Sequence, residues 1–404
     1  MTIMVAQRCA TFFYFTTDII LTTVTAGSIL NIEQPVAQRD ARLQHDVDKM
    51  SPTPRPPGTH PRDIKEEGMN NEKITIEDIA NALNVSKTTV SRAISGKGRI
   101  GMDTRRRVLG YIENHNYRPN SIAKSLAESK SYNLCFVIPS DNAITESVFY
   151  QRCLCGINQV AVENDYDLIV SMVKGDDLSQ LSRQIENGKV DGVILGRTSL
   201  FNTIEQFLRS KNMPFVTVGS SVDSSVIQVD NDHESACCDF TMKLLKMGIK
   251  DIALIGGDTQ YIVNRNRYRG FVRAFENADM QLHDELIFIP KNSKDDVEES
   301  VEVAIERGSK CIVAMDDDIC IKVINKLLSD GKKIPEDIMV ASFYNSYIIE
   351  NSKVSVSAID FDEVKLGNVA AKTLIDQINE EEPIKKVLLG YEIKLRESTR
   401  CKSR

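Results

Sequence analysis

The chain has 404 residues, of which 42% are apolar and 26% charged, and a formal net charge of −7. That length allows two or three domains. The composition is that of a soluble globular protein and excludes a fibrous or wholly disordered chain. The charge is unevenly placed. Residues 69–130 hold 11 Lys/Arg against 6 Asp/Glu, net +5, and residues 131–404 hold 32 against 43, net −11. A small basic module in front of a large acidic one points to an anionic partner for the small module alone.

The nine cysteines have neither zinc-ligand nor thioredoxin-like spacing: Cys153-x-Cys155 and the adjacent Cys237-Cys238 fit no such pattern. Most lie in apolar runs, where a thiol acts as a small hydrophobe. The expectation is a cytoplasmic protein in a reducing environment, without disulfides, metal or cofactor.

Residues 1–72 form an N-terminal extension outside the fold, read as disordered or mis-annotated. The run TFFYFTTDIILTTVTAGSIL (11–30) is apolar but Thr-rich and contains Asp18, a costly residue in lipid. SPTPRPPGTHP (51–61) is too Pro-rich to pack. Lys65-Glu66-Glu67-Gly68 has purine-rich codons, as a ribosome-binding site read in frame would, which makes Met69 the expected start. A disordered tail and a signal anchor are the alternatives.

From Thr75 the pattern turns helical: Ile76, Ile79, Ala80 and Leu83 recur at three- and four-residue spacing. Thr75 with Asp78 makes a near capping box, Asn84 suits a left-handed helix end, and Ser86 suits the cap of a second helix. In that helix Val90 and Ile94 face inward, and Lys87, Thr88, Ser91 and Arg92 face out. A short turn between two helices, the second offering its N-terminal half, is helix-turn-helix logic. Lys87, Thr88 and Arg92 supply donors for base edges, and Ser86 and Ser91 for phosphates. A third helix runs from about Asp103 to Asn114, with Val108 and Ile112 inward and Arg105, Arg106 and Arg107 crowding its start, some of them toward phosphates. A small helical bundle with a solvated face is the bland alternative. In NYRPNSIAKSLAESKS (116–131), Pro119 breaks the chain and Asn120 can cap a helix of about two turns, too short to stand alone in water. Docked on DNA, such a helix would offer Leu126 as a minor-groove wedge. A plain linker is the other reading of this stretch.

TIEDIANALNVSKTTVSRAIS, TRRRV and NYRPNSIAKSLA together resemble the headpiece and hinge of the lactose-repressor/galactose-repressor family. The resemblance implies a helix-turn-helix headpiece over 73–118 and a hinge helix over 119–131. It implies that Lys87, Thr88 and Arg92 read the major groove, with Asn120, Ala123, Lys124 and Leu126 serving the hinge on DNA and Leu126 entering the minor groove. Gly101 departs from the Ser common before the third helix, which weakens that cap.

Beyond the hinge, apolar runs alternate with amphipathic helical patterns. LCFVIP (134–139), DLIVSMV (167–173), VDGVILG (190–196), PFVTVG (214–219) and SVIQVDN (225–231) read as buried strands. So do IALIGGD (252–258), ELIFIP (285–290), CIVAMDD (311–317), IMVASFY (338–344) and VSVSAID (354–360). The expected class is α/β: two doubly wound parallel-sheet lobes over 132–398, with ligand in the crevice at the strand ends. This core resembles the family's periplasmic-binding-protein-like core, through VDGVILG, IALIGG, Arg267-Tyr-Arg-Gly-Phe and AMDDD in that order. By position, the resemblance assigns Arg267 and Asp317 to effector hydroxyls, with Asp230 and Phe149 as weaker candidates. A guanidinium and a carboxylate together suit a polyol, since each hydroxyl both donates and accepts. Asp318-Ile-Cys-Ile-Lys, Ser342-Phe-Tyr-Asn and Gly219 depart from the family pattern and bear on which effector binds.

The reading that follows is a DNA-binding transcription regulator, a repressor acting as a homodimer on a pseudo-palindromic operator and controlled by a sugar or sugar derivative. An enzyme is the first rival. No phosphate loop, nucleophile elbow or H-E-x-x-H occurs, and the G-x-G-x-x-G within Ser95-Gly-Lys-Gly-Arg-Ile-Gly follows no strand, as a dinucleotide fingerprint must. An exported or membrane-tethered sugar-binding protein is the second rival, which the basic headpiece disfavours.

Overall fold

In the computed structural model the described residues are 3–5 (backbone only), 74–96, 98–115, 117, 125, 128–140, 147–290 and 293–400. They fall into two compact units: one within residues 7–128, and one formed by 129–404 with the first few residues.

The smaller unit holds three helices, α1 (Ile76–Leu83), α2 (Lys87–Ser95) and α3 (Met102–Asn114). Thr75 caps α1 in a full capping box, its hydroxyl meeting the Asp78 amide while the Asp78 carboxylate accepts from the Thr75 amide at 2.8 Å. Asn84 ends α1 in the left-handed region at φ 52°, a conformation its short polar side chain tolerates. Ser86 caps α2, accepting from the Thr89 amide at 3.1 Å. Gly101 starts α3 with no side-chain cap bond. Ile79, Ala80, Val90, Ala93 and Val108 close a small core, ringed by Leu83, Val85, Ile94 and Ile112.

The larger unit holds two sheets. Chain order is β1 (Ile3–Val5), β2 (Asn133–Pro139), α4 (Val148–Glu163), β3 (Asp167–Val173), α5 (Ser179–Glu186), β4 (Gly192–Leu195), α6 (Thr203–Ser210), β5 (Phe215–Val218) and β6 (Ile227–Asn231). There follow α7 (His233–Lys246), β7 (Ile252–Ile255), α8 (Ile262–Asn277), β8 (Ile287–Phe288), α9 (Lys294–Glu306), β9 (Cys311–Ala314) and α10 (Asp317–Ser329). The chain ends with β10 (Met339–Ser342), α11 (Tyr347–Glu350), β11 (Ser357–Asp360), α12 (Glu363–Ile378), β12 (Lys386–Leu389) and β13 (Glu392–Lys394). The first sheet has seven strands in the order β1-β3-β2-β4-β5-β6-β12, and the second six, β13-β11-β10-β9-β7-β8. Pairing is parallel except at two edges: β1 runs antiparallel to β3, and β13 antiparallel to β11. Thus Ile3–Val5, inside the segment read as lying outside the fold, pair with Leu168–Val170; the rest of residues 1–68 lies outside the described residues.

Each sheet defines a lobe, and the chain crosses between lobes after β6, β11 and β12. The interior strands are apolar on both faces because helices cover both, as for a parallel sheet: β4, β5, β7, β9 and β10 are buried at every position. β12 and β13 were not anticipated. LysLysValLeuLeuGlyTyrGluIleLys carries charges between its apolar residues, and these strands lie at sheet edges, half-exposed.

Two helix crossings rest on glycine. A Cβ on Gly156 of α4 would lie 2.0 Å from the Val364 carbonyl of α12, and one on Gly367 would lie 2.2 Å from the Cys153 carbonyl. In the second lobe a Cβ on Gly270 of α8 would lie 2.3 Å from the Glu234 carbonyl of α7. Among the described residues no disulfide joins the cysteines, of which Cys135, Cys153, Cys237, Cys238, Cys311 and Cys320 are buried. Among them, too, no helix is long and apolar enough to cross a membrane.

Candidate nucleic-acid interface and effector cleft

Helix α2 buries Val90 and Ala93 and leaves Lys87, Thr88, Ser91 and Arg92 exposed on its other side. The two faces follow from the helical period: residues three and four apart share one side. Lys87 is held by Glu77 of α1 at 2.9 Å, both side chains 60% exposed, a pairing of small worth in water that is free to exchange for a phosphate. Ser86 is the helix cap, and its hydroxyl also meets that of Thr89 at 2.8 Å. The three consecutive arginines divide their work. Arg107 donates to the Leu83 carbonyl at 3.1 Å and so caps the C-terminus of α1. Arg105 is half-buried, and Arg106 is exposed, 4.0 Å from Asp103. Asn120, Ala123, Lys124 and Leu126 lie outside the described residues.

In the larger unit the carboxyl ends of the two sheets face each other. The loop after β4 pairs with the loop after β7: Leu200 N donates to Gln260 O at 3.0 Å, and the Arg197 guanidinium lies 4.3 Å over the Tyr261 ring. Phe149, on the first turn of α4, packs half-buried against the cores of both lobes, 5.2 Å from Tyr150 and 6.4 Å from Tyr344.

Arg267 reaches this cleft because Gly270, one turn further on, lets α8 lie directly on α7. It is 7% exposed. Its Nη1 donates to the Met315 carbonyl at 2.7 Å, and its guanidinium lies 5.6 Å from the Tyr344 ring centre. Asp230, at the end of β6, is buried with both oxygens occupied. Oδ2 accepts from the amide and hydroxyl of Ser220 at 2.9 and 2.7 Å, and Oδ1 from the Asn231 amide at 2.8 Å. It therefore fastens the Gly219–Ser220 turn to the strand end. Gly219 has φ 112°, where a side chain is strained, so this backbone does not suit an acidic residue there. Burial pushes the Asp230 carboxyl up to about 6, against hydrogen bonds and the Arg267 charge that pull it down.

Asp316 and Asp317 open α10. Asp316 is the N-cap, accepting from the Ile319 amide at 2.9 Å, and Asp317 is the first helical residue. Desolvation, then the neighbouring Asp317 charge, push Asp316 up to about 6; burial also raises Asp317. Arg267 draws both carboxyls back down. The sequence singled out Asp317 alone. Asp316 shares its place beside Arg267, and the cap position just past Ala314 is the signal that finds it. Tyr344 was also missed. Its hydroxyl donates to Glu363 Oε1 at 2.7 Å, and Arg152 Nε holds Glu363 Oε2 at 2.7 Å, on one wall of a cavity of about 170 Å³.

Asp316→Asn is expected to stabilise the core by about 2 kcal/mol at pH 7.5, since asparagine caps a helix as well and carries no charge to desolvate. A carboxyl raised in the folded state takes up its proton there first. Its ionisation therefore weakens the fold above about 6, and the cost fades as pH falls toward 4. Urea titrations at pH 7.5 and 4.5 should show the gain at the first and its loss at the second.

A helix-turn-helix unit joined to a two-lobed α/β core with a cleft at its strand ends defines a ligand-responsive DNA-binding regulator. The comparisons agree. Residues 75–120 match the family of bacterial regulatory proteins of the lacI type, and residues 241–399 match a periplasmic binding protein-like domain. Its relatives are LacI-family transcription regulators, which act by binding DNA rather than as enzymes. The chain is 29% identical over 324 residues to the HTH-type transcriptional regulator MalR of Streptococcus pneumoniae, covering 78% of this chain and 95% of that one. It is 26% identical over 333 residues to catabolite control protein A of Staphylococcus xylosus, covering 81% and 99%. In fold it is similar to the transcriptional regulator CelR in complex with cellobiose (TM-score 0.62, 22% identity, covering 80% and 99%). It is likewise similar to the lac repressor dimer bound to operator and an anti-inducer (TM-score 0.66, 18% identity, covering 82% and 100%).

Proposed function

We propose that the protein is a cytoplasmic repressor that binds a pseudo-palindromic operator as a homodimer and responds to a sugar or sugar derivative held between the lobes. The headpiece spans 73–118, the hinge helix 119–131 and the effector core 132–398. Lys87, Thr88 and Arg92 read base edges, Ser91 and Ser86 meet phosphates, and Asn120, Ala123, Lys124 and Leu126 act at the operator centre. In the core Arg267 and Asp317, joined by Asp316, take effector hydroxyls; Phe149 stacks on the ligand, and Asp230 shapes the cleft floor. The observation that carries this reading is the exposed face of α2, where four polar side chains stand opposite a buried Val90 and Ala93. The cellobiose in CelR and the operator in the lac repressor support the choice of ligand and partner.

Arg92→Ala is expected to cost about 1–3 kcal/mol in operator binding, concentrated at one base pair of each half-site. Binding measured on a set of single-base operator variants reads this directly. An unchanged order of preference among the variants would remove Arg92 from the groove.

A further inference from the structure

His233 is the first residue of α7, immediately after the chain crosses from the first lobe to the second. It is 5% exposed. Its Nδ1 lies 3.5 Å from Arg267 Nε, its Nε2 lies 3.5 Å from Asp230 Oδ1, and its ring stands edge-on to Phe361 with centres 4.7 Å apart. Phe361 belongs to the second crossing segment, between β11 and α12. The imidazole thus fills the space where two of the crossing segments meet, with a guanidinium on one nitrogen and a carboxylate on the other.

The chemistry of those neighbours fixes its state. Arg267 Nε is a donor and never an acceptor, so Nδ1 must present its lone pair. Nε2 then carries the proton, and it lies 3.5 Å from a carboxylate oxygen, which only accepts. We propose that His233 is a positioning residue of the effector cleft: as the neutral Nε2–H tautomer it links Asp230 to Arg267 and sets the direction of the guanidinium fork. The inference rests on the reading of Arg267 as an effector contact.

Arg267 Nη1 is fixed by the Met315 carbonyl on the second lobe. Through His233 its Nε is tied to the strand end of the first. The fork is therefore held from both lobes, and any movement of the lobes against each other turns it. Protonation at Nδ1 would set two cations face to face and break the link. Asp230 faces the ring from β6, Arg267 from α8 and Phe361 from the second crossing. Burial and the Arg267 charge both push the imidazole well below its ordinary range, which keeps the link intact at neutral pH.

The test uses the full-length protein with ¹⁵N-labelled His and Arg, without any sugar, so it stands or falls separately from the effector assignment. At pH 7.5 the His233 ring, assigned by its loss in His233→Gln, is expected in the Nε2–H form, and the Arg267 Nε–H is expected to exchange slowly. Gln can accept from Arg267 and donate to Asp230, so His233→Gln should keep that Nε–H within about three-fold of wild type in exchange rate. His233→Leu should speed its exchange at least ten-fold. A charged or Nδ1–H ring at pH 7.5, or equal Arg267 exchange in the Leu and Gln variants, overturns the proposal. Should His233→Leu fail to fold, the tautomer of the wild-type ring and the result with Gln decide it.

Discussion

Arg267→Met is expected to lower the stability of the core by about 3 kcal/mol at pH 7.5 and to abolish release of the protein from its operator by sugar. The size follows from what the guanidinium leaves behind. The Met315 carbonyl loses a donor at 2.7 Å. Asp230, Asp316 and Asp317 lose the cation that draws all three carboxyls downward against desolvation. A buried carbonyl left without its donor costs about 1–3 kcal/mol, and the loss of the nearby positive charge adds to it. The sign with pH is definite. Asp230 and Asp316 already titrate near 6, and without Arg267 their values rise further. They become neutral as pH falls below that range, so the deficit should shrink between pH 7.5 and 5. Urea titrations at both values measure it. A deficit that is independent of pH would show that Arg267 acts through packing alone.

Gly156→Val is expected to cost more than about 3 kcal/mol and to leave little folded core. The α4–α12 crossing brings backbone to backbone, and a Cβ there would fall 2.0 Å from the Val364 carbonyl. No rotamer relieves a clash with backbone, so the helices must part. That opens the cluster of Cys153, Ile157, Leu366, Ala370 and Leu374 between them. Overpacking a well-filled core costs about 1–3 kcal/mol when side chains can adjust, and more when they cannot. Gly110→Ala is the control. It lies in the smaller unit, where a Cβ would meet nothing within 4 Å, and alanine is the better helix former by up to about 1 kcal/mol. Thermal unfolding of the two variants beside wild type should show one collapse and one small gain.

Much of the fold could be read from the sequence because burial leaves a pattern. Each of the ten apolar runs holds a strand of the two sheets, from the full DLIVSMV of β3 to two residues of ELIFIP in β8. The Thr75–Asp78 capping box and the left-handed Asn84 were legible too, being local chemistry within a few residues. What escaped depends on distant partners. Arg107 stood among three arginines of which some were expected to face phosphates. Its carbonyl acceptor, Leu83, is 24 residues away and is brought to it only by packing of α3 on α1. β12 and β13 escaped because edge strands are half-solvated and carry charge. In AMDDD the sequence offered three consecutive acids, and only the end of β9 at Ala314 and the turn into α10 give the cap to Asp316. His233 gave no signal at all, since its two partners come from a strand end and from a helix more than thirty residues away.

Selection of bound fragments from bacterial genomic DNA by the purified full-length protein at low ionic strength tests the central claim most directly, namely that the α2 face reads DNA. The account predicts enrichment of a short pseudo-palindrome, with affinity for it falling steeply as salt rises because phosphate contacts release counterions. A protein that enriches no sequence under those conditions would contradict it.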